Sequence, residues 1–116
     1  LERSLGRFQV EIKEPAEKAI RDLAKKYRRI WDDLRPIFEA LESHPRLGTP
    51  IKGFAKCYKI RVKSSDIAEG KSKGFRVITW PKENEGKVEV WFVYAKPETK
   101  VMTPKEIKAL IKKYSY

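Results

Sequence analysis

The sequence predicts an α+β fold in the order β-α-α-β-β-β-α. It comprises a small antiparallel sheet of about four strands, two N-terminal helices packed on one face, and a short C-terminal helix. Three observations predict it. Two apolar patterns at helical spacing occupy residues 16–41, the apolar period changes to two from Tyr58 onward, and a capped helix start stands at Thr103. With 116 residues the chain is long enough for one domain and too short for two ordinary ones. Residues 1–116 therefore read as a single domain, with 1–6 a loose N-terminal extension.

Phe8, Val10 and Ile12 alternate with Gln9, Glu11 and Lys13, the pattern of a half-buried strand. Pro15 then suits the first turn of a helix, where its missing N–H has no intrahelical partner. Ala16, Ile20, Leu23, Ala24 and Tyr27 give that helix one apolar face. A second helical pattern runs through Trp31, Leu34, Phe38 and Leu41, and Pro36 inside it predicts a kink or a restart. His44-Pro45 and Leu47-Gly48-Thr49-Pro50 read as a stop followed by a loop. Tyr58, Ile60 and Val62 alternate with Lys59, Arg61 and Lys63, so this strand has one apolar and one cationic face. Ser64–Lys73 is polar and contains Gly70, as a hairpin loop would. Phe75–Trp80 is the next strand and Glu83–Gly86 a turn. Val88–Ala95, the most hydrophobic segment, is expected as the central strand. Thr103-Pro104-Lys105-Glu106 combines a cap, a first-turn proline and the glutamate of a capping box. Ile107, Leu110 and Ile111 complete a short amphipathic helix.

Charge narrows the function. The chain carries a net charge of +11, and residues 51–80 hold eight Lys/Arg against two Asp/Glu, more than half of the excess. Positive charge so clustered draws polyanions and releases their counterions, although a solvated face or a surface for an acidic protein is the plainer alternative. No run approaches the ~20 apolar residues of a membrane span, and Leu1–Arg7 has no apolar core of a signal peptide. A lone Cys57 excludes an internal disulfide and suits a reducing cytoplasm, the expected location. Cys57 and His44 alone cannot fill a structural zinc site, so neither metal nor other cofactor is expected.

Three local sequences carry a family resemblance. They are Cys57-Tyr58-Lys59-Ile60-Arg61 after Leu47–Gly53, then Gly70-Lys71-Ser72-Lys73-Gly74-Phe75-Arg76-Val77-Ile78, then Val93-Tyr94-Ala95-Lys96. In this order and spacing, across residues 8–113, the chain resembles the RelE/HigB/ParE superfamily of toxins from type II toxin–antitoxin systems, nearest a HigB/RelE-like branch. The resemblance implies a RelE-like fold. It also implies a ribosome-dependent, metal-independent endoribonuclease that cleaves mRNA in the ribosomal A site by attack of the 2′-hydroxyl on the adjacent phosphate. Translation is thereby inhibited, and a bound antitoxin silences the toxin.

That chemistry needs cations aimed at the charge developing on phosphorus. Arg76 matches the arginine of RelE-like enzymes, and its planar fork can grip a phosphate; an ion pair with a carboxylate is the structural alternative. Lys59 and Arg61 match the two basic positions of the family's Tyr-Lys-Ile-Lys stretch, and Lys96 the basic residue ending the hydrophobic strand. Lys59 serves as a base only if neighbouring cations lower its pKa from ~10.4. For Lys59 and Arg61 a solvated edge-strand face is the plain alternative. Lys56, Lys63, Lys71 and Lys73 are expected to hold RNA or ribosomal phosphates, contacts that position without reading sequence. Tyr94, alternating with Phe92 and Val90, reads as core, as do Trp80 and Trp91. Pro97–Thr103 contains neither tyrosine nor histidine, so the general acid is unassigned.

Two further functions fit the same fold: a ParE-like inhibitor of DNA gyrase, and a catalytically silent RNA- or antitoxin-binding relative. The expected partners are an acidic, partly disordered antitoxin, the ribosome and mRNA, with no membrane and with a monomeric free toxin. The second and third helices offer the apolar and cationic surface such an antitoxin would wrap, folding as it binds.

Overall fold

The chain enters on strand β1 (Gln9–Ile12), followed by helices α1 (Glu14–Ala24) and α2 (Ile30–Leu41). Strands β2 (Thr49–Ile51), β3 (Phe54–Val62), β4 (Phe75–Lys82) and β5 (Lys87–Ala95) then lead to helix α3 (Pro104–Tyr114). The computed structural model describes residues 7–68, 73–98 and 101–115. The expected extension 1–6, and Gly70 and Lys71 of the β3–β4 loop, lie outside the described residues. No helix among the described residues is long and apolar enough to cross a membrane.

The α+β class and the order of the expected elements hold, with two differences in the sheet. It has five strands in the order β1-β5-β4-β3-β2, and β1 runs parallel to β5 while the other pairs are antiparallel. The added strand is β2, where the sequence reads as a loop. Three residues including Pro50 give no periodicity to detect, but Thr49 and Pro50 pair with Lys59 and Tyr58. In consequence β4 occupies the centre, with β5 next to it. Pro36 sits inside α2 without dividing it. An exposed position and a helix of twelve residues leave room for one missing backbone hydrogen bond.

Both faces of the sheet are covered. On one face Ile60 and Val62 of β3, Phe75 and Val77 of β4, and Val88, Val90, Val93 and Ala95 of β5 form the main core with α1 and α2. Ala16, Ile20, Ile30, Leu34 and Leu41 supply the helical side, all fully buried. The opposite face is covered in part as well. Ile107 and Ile111 of α3 pack there against Cys57, Ile78, Trp91 and Tyr94. The α3 start carries the full capping box, with the Glu106 amide donating to Thr103 Oγ1 at 3.2 Å and the Thr103 amide to Glu106 Oε1 at 2.8 Å.

A bulge in β5 fixes what α3 meets. Ile78 pairs with Phe92 but Thr79 pairs with Val90, so Trp91 is an extra residue. Trp91 and Phe92 therefore both lie on the α3 face, while Val90 lies in the main core. The alternation of Tyr94 with Phe92 and Val90 breaks here, although Tyr94 is core as expected, at 3% exposure. At the β1 end of the α3 face, buried Glu89 accepts from Trp91 Nε1 at 3.0 Å. Lys13, Lys82 and Lys87 stand at 3.7, 3.3 and 3.3 Å from its carboxylate. That end of the face is internally neutralised.

Loops at the opposite end are pinned to the helices. Asp33 of α2 accepts from the Ser65 amide at 2.8 Å, and the Arg29 amide donates to Asp66 at 3.0 Å. Tyr27, just past α1, packs edge-on against Phe75 and donates its hydroxyl to Glu98, which also pairs with Lys26 at 2.8 Å. The chain leaving β5 is thus tied to the end of α1. At Gly74 the strands approach so closely that a Cβ would stand 2.0 Å from the Val62 carbonyl oxygen.

Two predictions follow from these contacts. Gly74→Ala forces backbone apart at the β3–β4 junction and should cost about 1–3 kcal/mol, the range for overpacking, read as a lower denaturation midpoint. The Lys26 and Tyr27 partners hold the Glu98 carboxyl below its ordinary value of 4.5. A depressed carboxylate pKa contributes stability that is present above the ordinary value and lost as pH falls through the folded-state value. Tyr27→Phe should therefore lower stability by about 1 kcal/mol near neutral pH. Equilibrium unfolding in acid should show that deficit shrinking once the pH drops below 4.5.

Candidate functional site

The cationic face of β3 and the neighbouring residues of β4 meet at the end of the sheet that α3 leaves open. Arg61 and Arg76 are direct cross-strand partners, and Lys59 pairs with Ile78 one step along. Their side chains share a face because register pairs lie on the same side of a sheet. Arg76 pairs on its other side with Tyr94. Lys96 follows β5 immediately, and its amide donates to the Gly74 carbonyl at 3.0 Å, which brings it beside the start of β4. The four cations proposed from sequence are thus gathered by adjacent strand positions.

Two of them, Lys59 and Arg61, border a cleft of about 360 Å³. Lys59, Arg61 and Ile78 belong to its sheet side, Thr49–Lys52 of β2 and the turn after it to a second, and Val101, Met102 and Pro104 to the third. None of the described residues that line it is acidic. Sequence reasoning misses the other two walls. Thr49–Ile51 carries no chemical signature, and Val101–Met102 reads only as a linker between a strand and a cap. A half-exposed Val101 beside three cations is the kind of apolar contact a nucleobase or ribose accepts, yet nothing in its sequence context distinguishes it.

Electrostatics within the group are unfavourable by construction. Burial first, then the charges of Arg76, Lys96 and Arg61, push the Lys59 ammonium below its ordinary value of 10.5. Burial and Arg61 likewise push Arg76 down, but a guanidinium stays charged at any physiological pH. Arg76 is 4% exposed and donates from Nη1 to the Phe75 carbonyl at 3.1 Å. Among the described residues no carboxylate lies within 4 Å of Lys59, Arg61 or Lys96. Uncompensated cations around a cleft form a ready site for an anion, and a lysine of lowered pKa in such a place is a candidate base.

The expected phosphate-holding lysines are placed less uniformly. Lys63 and Lys73 are exposed at the two ends of the β3–β4 loop, adjoining the Arg61–Arg76 pair, and Lys71 lies outside the described residues. Lys56 stands away from the cleft. Its ammonium lies 5.6 Å from the Trp80 ring, which Lys82 approaches at 4.4 Å, and Phe54 packs edge-on against that ring. Trp80 and Trp91 are thus engaged with lysines and with the second core. His44 is an exposed loop residue, as expected. Cys57 is fully buried, and burial chiefly pushes its thiol up to about 12, which makes it inert. Among the described residues no group of three His, Cys, Asp or Glu side chains is placed to hold a metal ion.

The family model of the ParE toxin of the type II toxin-antitoxin system, parDE, matches residues 10–94, which contain three of the four clustered cations. A doubly arginine-to-alanine mutant of E. coli toxin RelE in the free state has a similar structure, with a TM-score of 0.59 and 18% identity. The alignment covers 95% of this chain and 99% of that one. The same mutant in complex with a peptide of its antitoxin RelBc aligns with a TM-score of 0.54 and 25% identity, covering 89% and 92% of the two chains. No curated protein sequence matches the chain.

The site makes a direct prediction about Lys59. Its ammonium should titrate below 10.5 in the folded protein, followed by NMR of the side-chain carbon next to nitrogen. Lys96→Ala removes one of the cations that lower it, so the titration midpoint should move upward. An unmoved midpoint would mean that burial alone sets it.

Proposed function

This chain belongs to the family of ParE toxins of type II toxin–antitoxin systems, within the RelE/HigB/ParE superfamily, and we propose that it cleaves RNA. The reaction is ribosome-dependent, metal-independent endonucleolytic cleavage of mRNA in the A site. The observation that carries this reading is the acid-free cleft bordered by Lys59 and Arg61, with Arg76 and Lys96 beside it. An RNA phosphodiester bound there would find cations on more than one side and no repelling carboxylate on the walls.

The chemistry follows from that placement. Lys59, in the fraction made neutral by its lowered pKa, takes the proton of the 2′-hydroxyl. The freed oxygen attacks the adjacent phosphorus, the bond to the 5′-oxygen breaks and that oxygen takes a proton from water, so the products are a 2′,3′-cyclic phosphate and a 5′-hydroxyl. Arg76 and Arg61 meet the extra negative charge on the phosphorane, the contribution that usually dominates. Lys96 adds to the field and keeps Lys59 poised. Lys63, Lys71 and Lys73 hold flanking phosphates of message or ribosome, which supports binding without sequence choice. Lys56, apart from the cleft, belongs with this second group. An antitoxin partner fits the family and the complex formed by the RelE mutant with its antitoxin peptide.

A second reading is inhibition of DNA gyrase. It is favoured by the particular family model that matches, which is that of ParE. The cation cluster supports the first reading, because inhibition of gyrase does not require a base flanked by phosphate-binding arginines.

Programmed ribosomes test the proposal. Wild-type protein should cut the message at the A-site codon, and Arg76→Ala and Lys59→Ala should each reduce the rate by about 10²–10³, the scale for losing one charge-stabilising group. Intact message with every folded variant, together with blocked supercoiling by gyrase, would transfer the assignment to the second reading.

A further inference from the structure

Tyr94 is a buried phenol set against the cation cluster, and neither its sequence context nor the reading above gives it a task. It pairs directly with Arg76 across β4 and β5, on the face that carries the cleft. Its hydroxyl is buried and, among the described residues, has no hydrogen-bond partner. The oxygen is directed toward the backbone amide of Met102, a residue of the cleft wall, without reaching hydrogen-bond geometry. The Arg76 side chain stands on the facing strand position, and its charge acts on the phenol. A guanidinium and an amide both donate hydrogen bonds, so the phenol faces two donors and its own proton has no acceptor.

A buried hydroxyl without a partner forfeits the hydrogen bonds it would make in water and calls for an explanation. Among the described residues, no acceptor meets the Tyr94 proton. We propose that Tyr94 is a phosphate-contacting residue: with Arg76 it forms a subsite for a non-bridging oxygen of a phosphodiester, to which the phenol donates. In the free protein the Arg76 guanidinium is turned back to the Phe75 carbonyl. Turning it toward a bound phosphate is a side-chain motion. No proton leaves Tyr94, since burial holds its pKa above the ordinary tyrosine value. It acts as a hydrogen-bond donor, the role for which a raised pKa is suited. The inference rests on the RNA-cleaving reading for its catalytic consequence, but the phosphate subsite itself does not.

Tyr94→Phe tests it, because it removes one oxygen and keeps the ring that fills the second core. The thermal midpoint of the free protein should stay unchanged or rise, since the hydroxyl satisfies nothing there. On programmed ribosomes kcat should fall by about 10²-fold with KM little altered, as for other donors to a developing oxyanion. In parallel, binding of a short RNA with a 2′-methoxy group, which cannot be cleaved, should weaken several-fold. Full activity and unchanged binding in Tyr94→Phe would overturn the proposal. A variant that unfolds or melts markedly lower would overturn it as well, because the hydroxyl would then be a structural bond. If wild-type protein fails to cut any message while Tyr94→Phe still weakens binding of the 2′-methoxy RNA, the subsite stands and the nuclease reading falls.

Discussion

Two arginines stand opposite each other on neighbouring strands, and most of the architecture serves to keep them there. Arg61 and Arg76 are cross-strand partners, an arrangement of like charges that by itself disfavours the pairing of β3 with β4. The register is held from the other side of the sheet. Ile60, Val62, Phe75 and Val77 are buried against α1 and α2, and a slip of one residue would turn those four outward and drive the cations into the core. Gly74 adds a backbone constraint, since no side chain fits where it meets Val62. The apolar face therefore decides where the cations stand, and electrostatics alone would separate them.

The same face of the sheet is divided electrically. Near β1, Glu89 and Glu11 lie among Lys13, Lys82 and Lys87, so the lysines there are spent on internal pairs. Toward the β3–β4 loop no such acid is present beside Lys59, Arg61 and Lys96 among the described residues. Helix α3 covers the boundary with Ile107 and Ile111 and leaves the second end open. The net charge of the chain thus matters less than its segregation, which concentrates positive potential at the cleft and adds to burial in lowering the Lys59 pKa.

Much of this was legible in the sequence because it rests on short-range pattern. Alternation exposed the two faces of β3, and the Thr103–Glu106 capping box marked the start of α3. The grouping of Lys59, Arg61, Arg76 and Lys96 followed from family resemblance together with strand order, and the register then showed how the pairs meet. What the pattern concealed was long-range or irregular. The parallel pairing of β1 with β5 joins segments about eighty residues apart, and no periodicity encodes it. The bulge at Trp91 reversed the facing of every residue before it, which hid the relation of Tyr94 to its neighbours. The walls of the cleft made by Thr49–Ile51 and Val101–Met102 are ordinary residues given a role only by what folds beside them.

The outer margins of the sheet carry a last implication. One margin is β2, three residues long and interrupted by Pro50, which lacks an N–H to offer a neighbour; the other is the four-residue β1. Margins so short and so poor in free donors give another chain little on which to continue the ladder. A strongly basic protein held at high local concentration on a polyanion would otherwise invite such stacking. Crowding should therefore leave the sheets of neighbouring copies separate.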